Sequence, residues 1–300
     1  MSSSPVLPPE LERIIFEMAA LLRPTTIPNL MRTAWRVKNW VEPLLYRTVF
    51  IQRILSTNYR IDGFPRLTVQ GLHQQASIKP PGFYQSPVKH LYLDCDPWFD
   101  AVEEVEYLLK VCGSVEALAL VGNPRLELTA LSADLLPYLR RLKVHFVSFR
   151  GGWGVQFTHP SIRNLTHLEL LDVDWHLHTE TLFAGLTLMP HLTHFAFNTL
   201  PYTFASTLRA MCDGLRANTR LSHVVLLSWN PDELRAAEIL AKDIRFMCIK
   251  QVDYRADWVR GADSGHKFWE LAEDFLVARL LGRVQRSIYI ISSVDYSWRI

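Results

Sequence analysis

Three histidines, His167, His194 and His223, occupy the same place in a six-residue phrase that recurs along the chain. If the copies form neighbouring strands about 4.8 Å apart, the three rings form a ladder. Imidazole suits zinc, but side chains on flat neighbouring strands converge poorly on one ion, and the sequence places no carboxylate or thiolate to complete the shell. The sequence therefore predicts no metal and no cofactor. Contact with a partner protein is preferred to metal binding, and the remaining interpretation is a tolerated, partly exposed strand residue.

Other groups capable of chemistry are better explained as turn residues. The carboxylate pairs Asp94/Asp96 and Asp172/Asp174 could do acid–base work, but each pair follows a repeat of the phrase, where the chain must turn. The glycine-rich stretch 150–154 lacks the Gly-Lys-Ser/Thr of a phosphate loop. No zinc-protease, serine-hydrolase or kinase motif is present. The chain is therefore predicted not to be an enzyme.

The recurring phrase has the pattern apolar-x-x-apolar-x-apolar. Seven copies start at residues 88, 115, 139, 165, 192, 221 and 244, in steps of 23 to 29 residues. The last four residues of each copy alternate in polarity, as a half-buried strand must. A single strand cannot bury its apolar side alone, so the copies should stack and share one core. The clearest copy is Leu165-Thr-His-Leu-Glu-Leu170, and the seventh is Ile244-Arg-Phe-Met-Cys-Ile249.

This period and phrase resemble those of leucine-rich-repeat proteins. The resemblance implies an α/β fold: a right-handed solenoid with parallel strands and with helices on the convex side. The inner strand face of such a solenoid is its usual binding surface. Residues at the third and fifth positions of the phrase should line that face. The substrate-binding candidates are Arg141, Lys143, His167, Glu169, His194 and His223.

Before the repeats, residues 7–50 carry helical apolar stripes. The matching features are Leu7-Pro8-x-Glu10-Leu11, then Ile14-Ile15-Phe16, a helix ending at Trp40, and Pro43–Arg47. Together they resemble the F-box of fungal F-box-like proteins. That resemblance implies a small all-α domain that docks on the adaptor subunit of a cullin–RING (SCF) ubiquitin ligase, with the repeats holding a protein substrate. The adaptor-binding candidates that follow from it are Leu7, Pro8, Leu11, Ile15, Leu30 and Trp40.

The alternative is a scaffold in which these helices only cap the open end of the solenoid, as repeat stacks require. A unit of about 45 residues buries too little apolar surface to hide all its large side chains, so something must cover the excess. If the apolar stripe of the first and second helices is buried on the repeats, the cap hypothesis is favoured. If it is exposed, the docking hypothesis is favoured.

Composition is consistent with an intracellular interaction protein. The chain has 300 residues, a net charge of +2 and 49% hydrophobic residues, without the basic surplus that nucleic-acid binding needs. Four scattered cysteines predict reduced thiols. No apolar run approaches the ~20 residues of a membrane helix, and the first residues lack a basic signal region. The predicted units are 1–50 (F-box-like), 51–87 (connector or irregular repeat) and 88–300 (repeats), in the cytoplasm or nucleus.

Overall fold

The structure is a computed structural model. It describes residues 7–52, 65–94, 102–122, 133–147, 157–201, 205–250, 258, 267–292 and 298.

The described residues form one α/β structure built on a ten-stranded sheet, and every strand pairs with its neighbour in parallel. The strands are β1 (Thr48–Gln52), β2 (Arg66–Leu67), β3 (His90–Asp94), β4 (Ala117–Val121), β5 (Arg141–His145), β6 (His167–Leu171), β7 (His194–Phe197), β8 (His223–Leu227), β9 (Phe246–Lys250) and β10 (Ile290–Ser292). From β3 to β10 the order in space follows the order in sequence. This arrangement is compatible with a solenoid-like α/β fold.

Helices precede the sheet and alternate with its strands. They are α1 (Pro9–Leu22), α2 (Ile27–Leu30), α3 (Trp35–Leu45), α4 (Val69–Ile78), α5 (Val102–Val111), α6 (Trp175–Leu186), α7 (Ala205–Ala217), α8 (Pro231–Ala236) and α9 (Lys267–Leu280). Short 3₁₀ turns occupy Pro24–Thr26, Ala133–Leu135, Pro160–Ile162 and Ala237–Lys242.

The strand register confirms six of the seven predicted copies. His90 lies beside Ala117, and the same third position continues through Arg141, His167, His194 and His223. These equal registers follow from the shared pattern, since a one-residue slip would turn every apolar side chain to the wrong face.

The seventh copy is shifted by one residue from the prediction. Phe246 pairs with Val224, a fourth-position residue, so Phe246 and Cys248 face the main core. Met247 and Ile249, in place of Phe246 and Cys248, lie on the opposite side of the sheet, where Met247 pairs with the fifth-position Val225. The prediction failed here because Ile244 imitates the first apolar position, whereas the turn before β9 gives that place to Asp243.

Two further strands lie beside β3. β1 pairs with β3 in full register, with Thr48 beside His90, although the chain reaches β1 directly from α3. The strand crosses residue 50, where the sequence analysis placed the end of the helical region. The shorter β2 pairs with the other side of β1 and forms the edge of the sheet.

The main core lies between one side of the sheet and the helices that connect the strands. Fourth- and sixth-position residues such as Leu168 and Leu170 are fully buried there, together with Leu182 and Met211. The repeated phrase builds this layer, because its apolar positions point to one side of every strand.

The opposite side of the sheet, called here the second face, carries the third and fifth positions and has a core of its own. On β7, β8 and β9, the residues Ala196, Val225 and Met247 pack with Phe275 of α9. Farther along, Trp258 contacts Tyr92 of β3 at 5.3 Å between ring centroids. The second face is therefore covered by residues that follow β9 in the chain.

The helical region α1–α3 has a small separate core formed by Ala20, Ile27, Val37 and Val41. Leu45, at the end of α3, packs against both this core and the main core.

Candidate functional site

A polar row crosses the second face in the register predicted from the sequence. His167 lies beside His194, and His194 lies beside His223. Their rings stack with centroid separations of 4.0 and 4.3 Å, which confirms the predicted ladder. Arg141 precedes His167 in the same row.

The next row along the strands holds a buried ion pair. Lys143 Nζ lies 2.7 Å from Glu169 Oε1, and both side chains are only 4% exposed. The two residues are register neighbours on β5 and β6, so strand pairing itself brings the opposite charges together. At this depth the pairing offsets part of the cost of removing both charges from water.

Helix α9 lies over the histidine row. The Trp269 ring meets His167 edge-on at 5.1 Å and His194 at 5.4 Å. Glu273, one turn later, places Oε1 3.4 Å from His194 Nε2. The predicted substrate candidates therefore do not lie on a bare surface. Lys143, His167 and Glu169 are buried, whereas Arg141, His194 and His223 keep partial exposure.

Burial keeps the three imidazoles neutral. It lowers the pKa of His167 to about 2, with further lowering from the positive charges that His194 and Arg141 would contribute. It lowers the pKa of His194 to about 3 and that of His223 to about 4. Burial also raises the pKa of Glu273, against the opposing effect of Arg141.

Each ring of the row is held by the residue before it. Thr166 Oγ1 and Thr193 Oγ1 both lie 2.8 Å from Nδ1 of the following histidine, and Ser222 Oγ lies 2.9 Å from Nδ1 of His223. The signal for this arrangement was present in the sequence as a repeated hydroxyl–histidine pair. Glu273 carried no such signal, because nothing in the spacing of the phrase places α9 over β6 and β7.

A second candidate site is the outer side of α1. At about 100° per residue, Leu11, Ile14, Ile15, Met18 and Leu22 of α1 fall within an arc of about 100° on the side opposite Ala20, and Leu7 lies just before the helix. We call these six residues the α1 apolar face. Leu11 is 50% exposed and Ile15 is 52% exposed, although both are large apolar side chains. The rest of the face is also exposed.

The adaptor-binding candidates divide between this face and the core beneath it. Leu7, Pro8, Leu11 and Ile15 are exposed on or beside α1. Leu30 and Trp40 are half-buried and pack against the small helical core, so they support α1 from behind.

The orientation of α1 is held by a two-pronged ion pair. Arg36 of α3 donates to Glu12 through Nε at 3.0 Å and through Nη2 at 2.8 Å. The Arg36 hydrogen bond lowers the pKa of Glu12.

The aspartates considered above as turn residues take different places in the structure. Asp94 accepts a hydrogen bond from Gln52 Nε2 at 3.2 Å. Asp172 adopts φ 54° in a turn, where its backbone N–H donates to Asn198. Asp174 precedes α6 as its N-cap residue. Asp96 and residues 150–154 lie outside the described residues, as does Cys95. The thiols of Cys112, Cys212 and Cys248 are free.

No helix in the described part of the chain is long and apolar enough to cross a membrane. Comparison of the sequence with protein-family models and with curated proteins gave no match.

Proposed function

We propose that this chain is a non-enzymatic interaction protein, the substrate-recognition subunit of a cullin–RING ubiquitin ligase. In this proposal the helical region 7–45 is an F-box that docks on the adaptor subunit. The parallel sheet and its helices are a leucine-rich-repeat solenoid that carries the substrate. The resemblance of Leu7–Leu11 and Pro43–Arg47 to F-box sequences suggests the partner.

The observation that carries the proposal is the exposure of the α1 apolar face. Soluble monomers rarely leave a continuous row of large apolar side chains in water, and such a row marks a protein-binding surface. The chain packs the rest of α1 onto its own small core, yet these six side chains are exposed and lie outside that core. An amphipathic helix that lays its apolar side into a groove of a partner is a common mode of recognition.

On the repeat side, three of the substrate candidates are accessible enough for direct contact. Arg141, His194 and His223 are partly exposed at the border of α9. The buried Lys143–Glu169 pair and His167 would act beneath them by fixing the row. A substrate that fits here would have to contact α9 as well, since α9 borders the same row.

The test is a binding measurement between the full chain and the adaptor subunit. The wild-type chain is expected to bind. The double variant Leu11→Ala/Ile15→Ala is expected to bind at least roughly tenfold more weakly, because two central apolar anchors are lost. The melting temperature should stay close to that of the wild type, because both side chains already face solvent.

The matched control is Leu177→Ala/Val277→Ala, which removes two exposed apolar side chains, 71% and 53% exposed, from α6 and α9. This variant should bind the adaptor like the wild type. If the well-folded wild-type chain does not bind, the F-box proposal is wrong. If the control loses binding equally, the α1 apolar face is not the contact surface.

The alternative function is a scaffold in which α1–α3 only cap the sheet. Lys79 Nζ, just beyond α4, lies 2.6 Å from Glu42 Oε1 of α3, and this ion pair ties the helical region to the sheet domain. Under this hypothesis the α1 double variant would lower the melting temperature and no adaptor binding would be found.

A further inference from the structure

We propose that His167, His194 and Glu273 form a binding site for a divalent transition-metal ion, with zinc as the best fit. The site lies between the second face of the sheet and α9. It does not require the proposed ligase function, although it shares His167 and His194 with the proposed substrate surface.

The three side chains come from separate parts of the chain and meet at one point. One potential ligand atom of each lies within 4.8 Å of those of the other two. The histidines are direct neighbours on β6 and β7, and Glu273 comes down from α9. Two imidazole nitrogens and one carboxylate oxygen are a donor set typical of a zinc site that keeps a fourth position open.

Hydrogen bonding selects the histidine tautomer that can bind a metal. Thr166 Oγ1 lies 3.1 Å from the carbonyl oxygen of Arg140, and Thr193 Oγ1 lies 3.3 Å from that of Thr166. A carbonyl oxygen can only accept a hydrogen bond, so each hydroxyl donates its single hydrogen to the carbonyl. The same hydroxyl oxygen then accepts a hydrogen bond from Nδ1–H of the histidine. Both rings are then protonated at Nδ1, and each Nε2 keeps its lone pair. A partner on the second ring nitrogen is what fixes the orientation of metal-binding histidines.

Both lone pairs are buried without a hydrogen-bond partner in the described part of the chain. Nε2 of His167 and Nε2 of His194 each have almost no solvent contact, and His167 as a whole is 9% exposed. Buried polar atoms are nearly always satisfied, so such a pair calls for an additional group.

Binding requires a small closure of the site. Zinc–nitrogen bonds are about 2.0–2.1 Å long, so the ligand atoms of a tetrahedral site lie roughly 3.3 Å apart. The two rings must therefore tilt out of their stacked arrangement towards Glu273. Trp269 touches both rings edge-on, so its environment changes when they tilt.

The experiment uses the full chain, freed of metal with a chelator and titrated with Zn²⁺ or Co²⁺ alone. Calorimetry should find one Zn²⁺ per chain, and the Co²⁺ form should show the intense visible absorption of four-coordinate cobalt. Saturating Zn²⁺ should raise the melting temperature, because the ion binds only the folded arrangement of sheet and α9.

Glu273→Gln keeps the size of the side chain and removes a ligand oxygen, and the side chain is 49% exposed, so folding is preserved. Its Zn²⁺ affinity should fall at least roughly tenfold. Asp274→Asn removes the same charge from the neighbouring exposed position and should change affinity less than about twofold. The assignment is overturned if the folded wild-type chain binds neither ion. It is also overturned if Asp274→Asn weakens binding as much as Glu273→Gln, since the attraction would then be unspecific.

Discussion

Two helices of 14 residues, α1 near the start of the chain and α9 near its end, differ in how far their apolar side chains are buried. In α9 most of the apolar residues, among them Phe275 and Leu271, are buried against the second face, whereas Val277 and Leu280 are exposed. In α1 Ala20 alone is classed as buried, and large side chains such as Ile15 remain half in water. The apolar stripe of α9 therefore packs against the sheet, whereas a similar stripe on α1 stays exposed to solvent.

The difference comes from what each helix has opposite it. The second face offers α9 a row of apolar fifth-position residues, including Val225 and Met247. The outer side of α1 has no counterpart among the described residues. An apolar stripe in a sequence indicates that a helix packs against another surface. Only the tertiary structure shows whether that surface belongs to the same chain.

The strongest contrast is expected from truncating one apolar side chain on each helix. Phe275→Ala should lower the free energy of unfolding by about 3–5 kcal/mol, because it leaves a cavity between α9 and the sheet. Ile15→Ala should change it by no more than about 0.5 kcal/mol, because the side chain is already half exposed. Equilibrium denaturation with urea measures both values. Equal losses would mean that α1 is packed in solution against something other than its own small core.

A smaller effect is expected from breaking one ion pair in each region. Glu169→Gln breaks an ion pair that is 4% exposed on both sides, and it should cost about 3 kcal/mol because the charges are buried. Arg36→Met breaks the pair with Glu12 at the solvent-exposed side of α1 and should cost far less. Urea denaturation at low and high salt measures the loss in free energy of unfolding for each variant. The loss for Arg36→Met should shrink more at high salt, since salt weakens exposed ion pairs more than buried ones. A larger loss for Arg36→Met would contradict the comparison.

The smallest effect is expected for the pH dependence of stability through His90, which lies on β3 at the other end of the second face. Burial lowers the pKa of His90 to about 3, helped by the positive charges of Arg47, Arg141 and Lys89. The unfolded chain takes up this proton near pH 6.5 and the folded chain does not until about pH 3. The contribution of neutral His90 to the free energy of unfolding is therefore fully present above about pH 6.5, and it is lost as the pH falls towards 3.

Between pH 6.5 and pH 5, His90 should lower the free energy of unfolding by up to about 2 kcal/mol. Chemical denaturation at both pH values should show a smaller loss for His90→Asn than for the wild type. The exposed His191 offers the control, and His191→Asn should behave like the wild type. If His90→Asn and the wild type lose the same stability, His90 takes up its proton in the folded chain as well.

Much of the strand layer could be read from the sequence. The copies that begin at Val88 and Leu165 pair in the predicted register, because alternation of polarity determines which side of a strand faces the core. The apolar spacing of residues 267–281 predicts a helix, and the structure forms one over Lys267–Leu280. Asn230 followed by Pro231 is a typical helix start, and α8 begins at Pro231, with the Asn230 side chain accepting from Asp232 N–H.

The errors lie where two local signals compete. Ile244 offered an apolar first position, and the register of β9 was misplaced by one residue. Tyr46–Ile51 has the same pattern as the repeats, but its distance from the next copy lies outside the repeat period, so β1 was not recognised as a strand of the same sheet.

The sequence by itself determined the parallel strands, their common register and the histidine row, because each depends on contacts between equivalent positions of a repeated phrase. The tertiary structure alone decided which surfaces stay open. It laid α9 over the row, brought Glu273 to His194, and left the outer side of α1 in water. Such contacts join residues far apart in the chain, and their geometry depends on how whole elements pack.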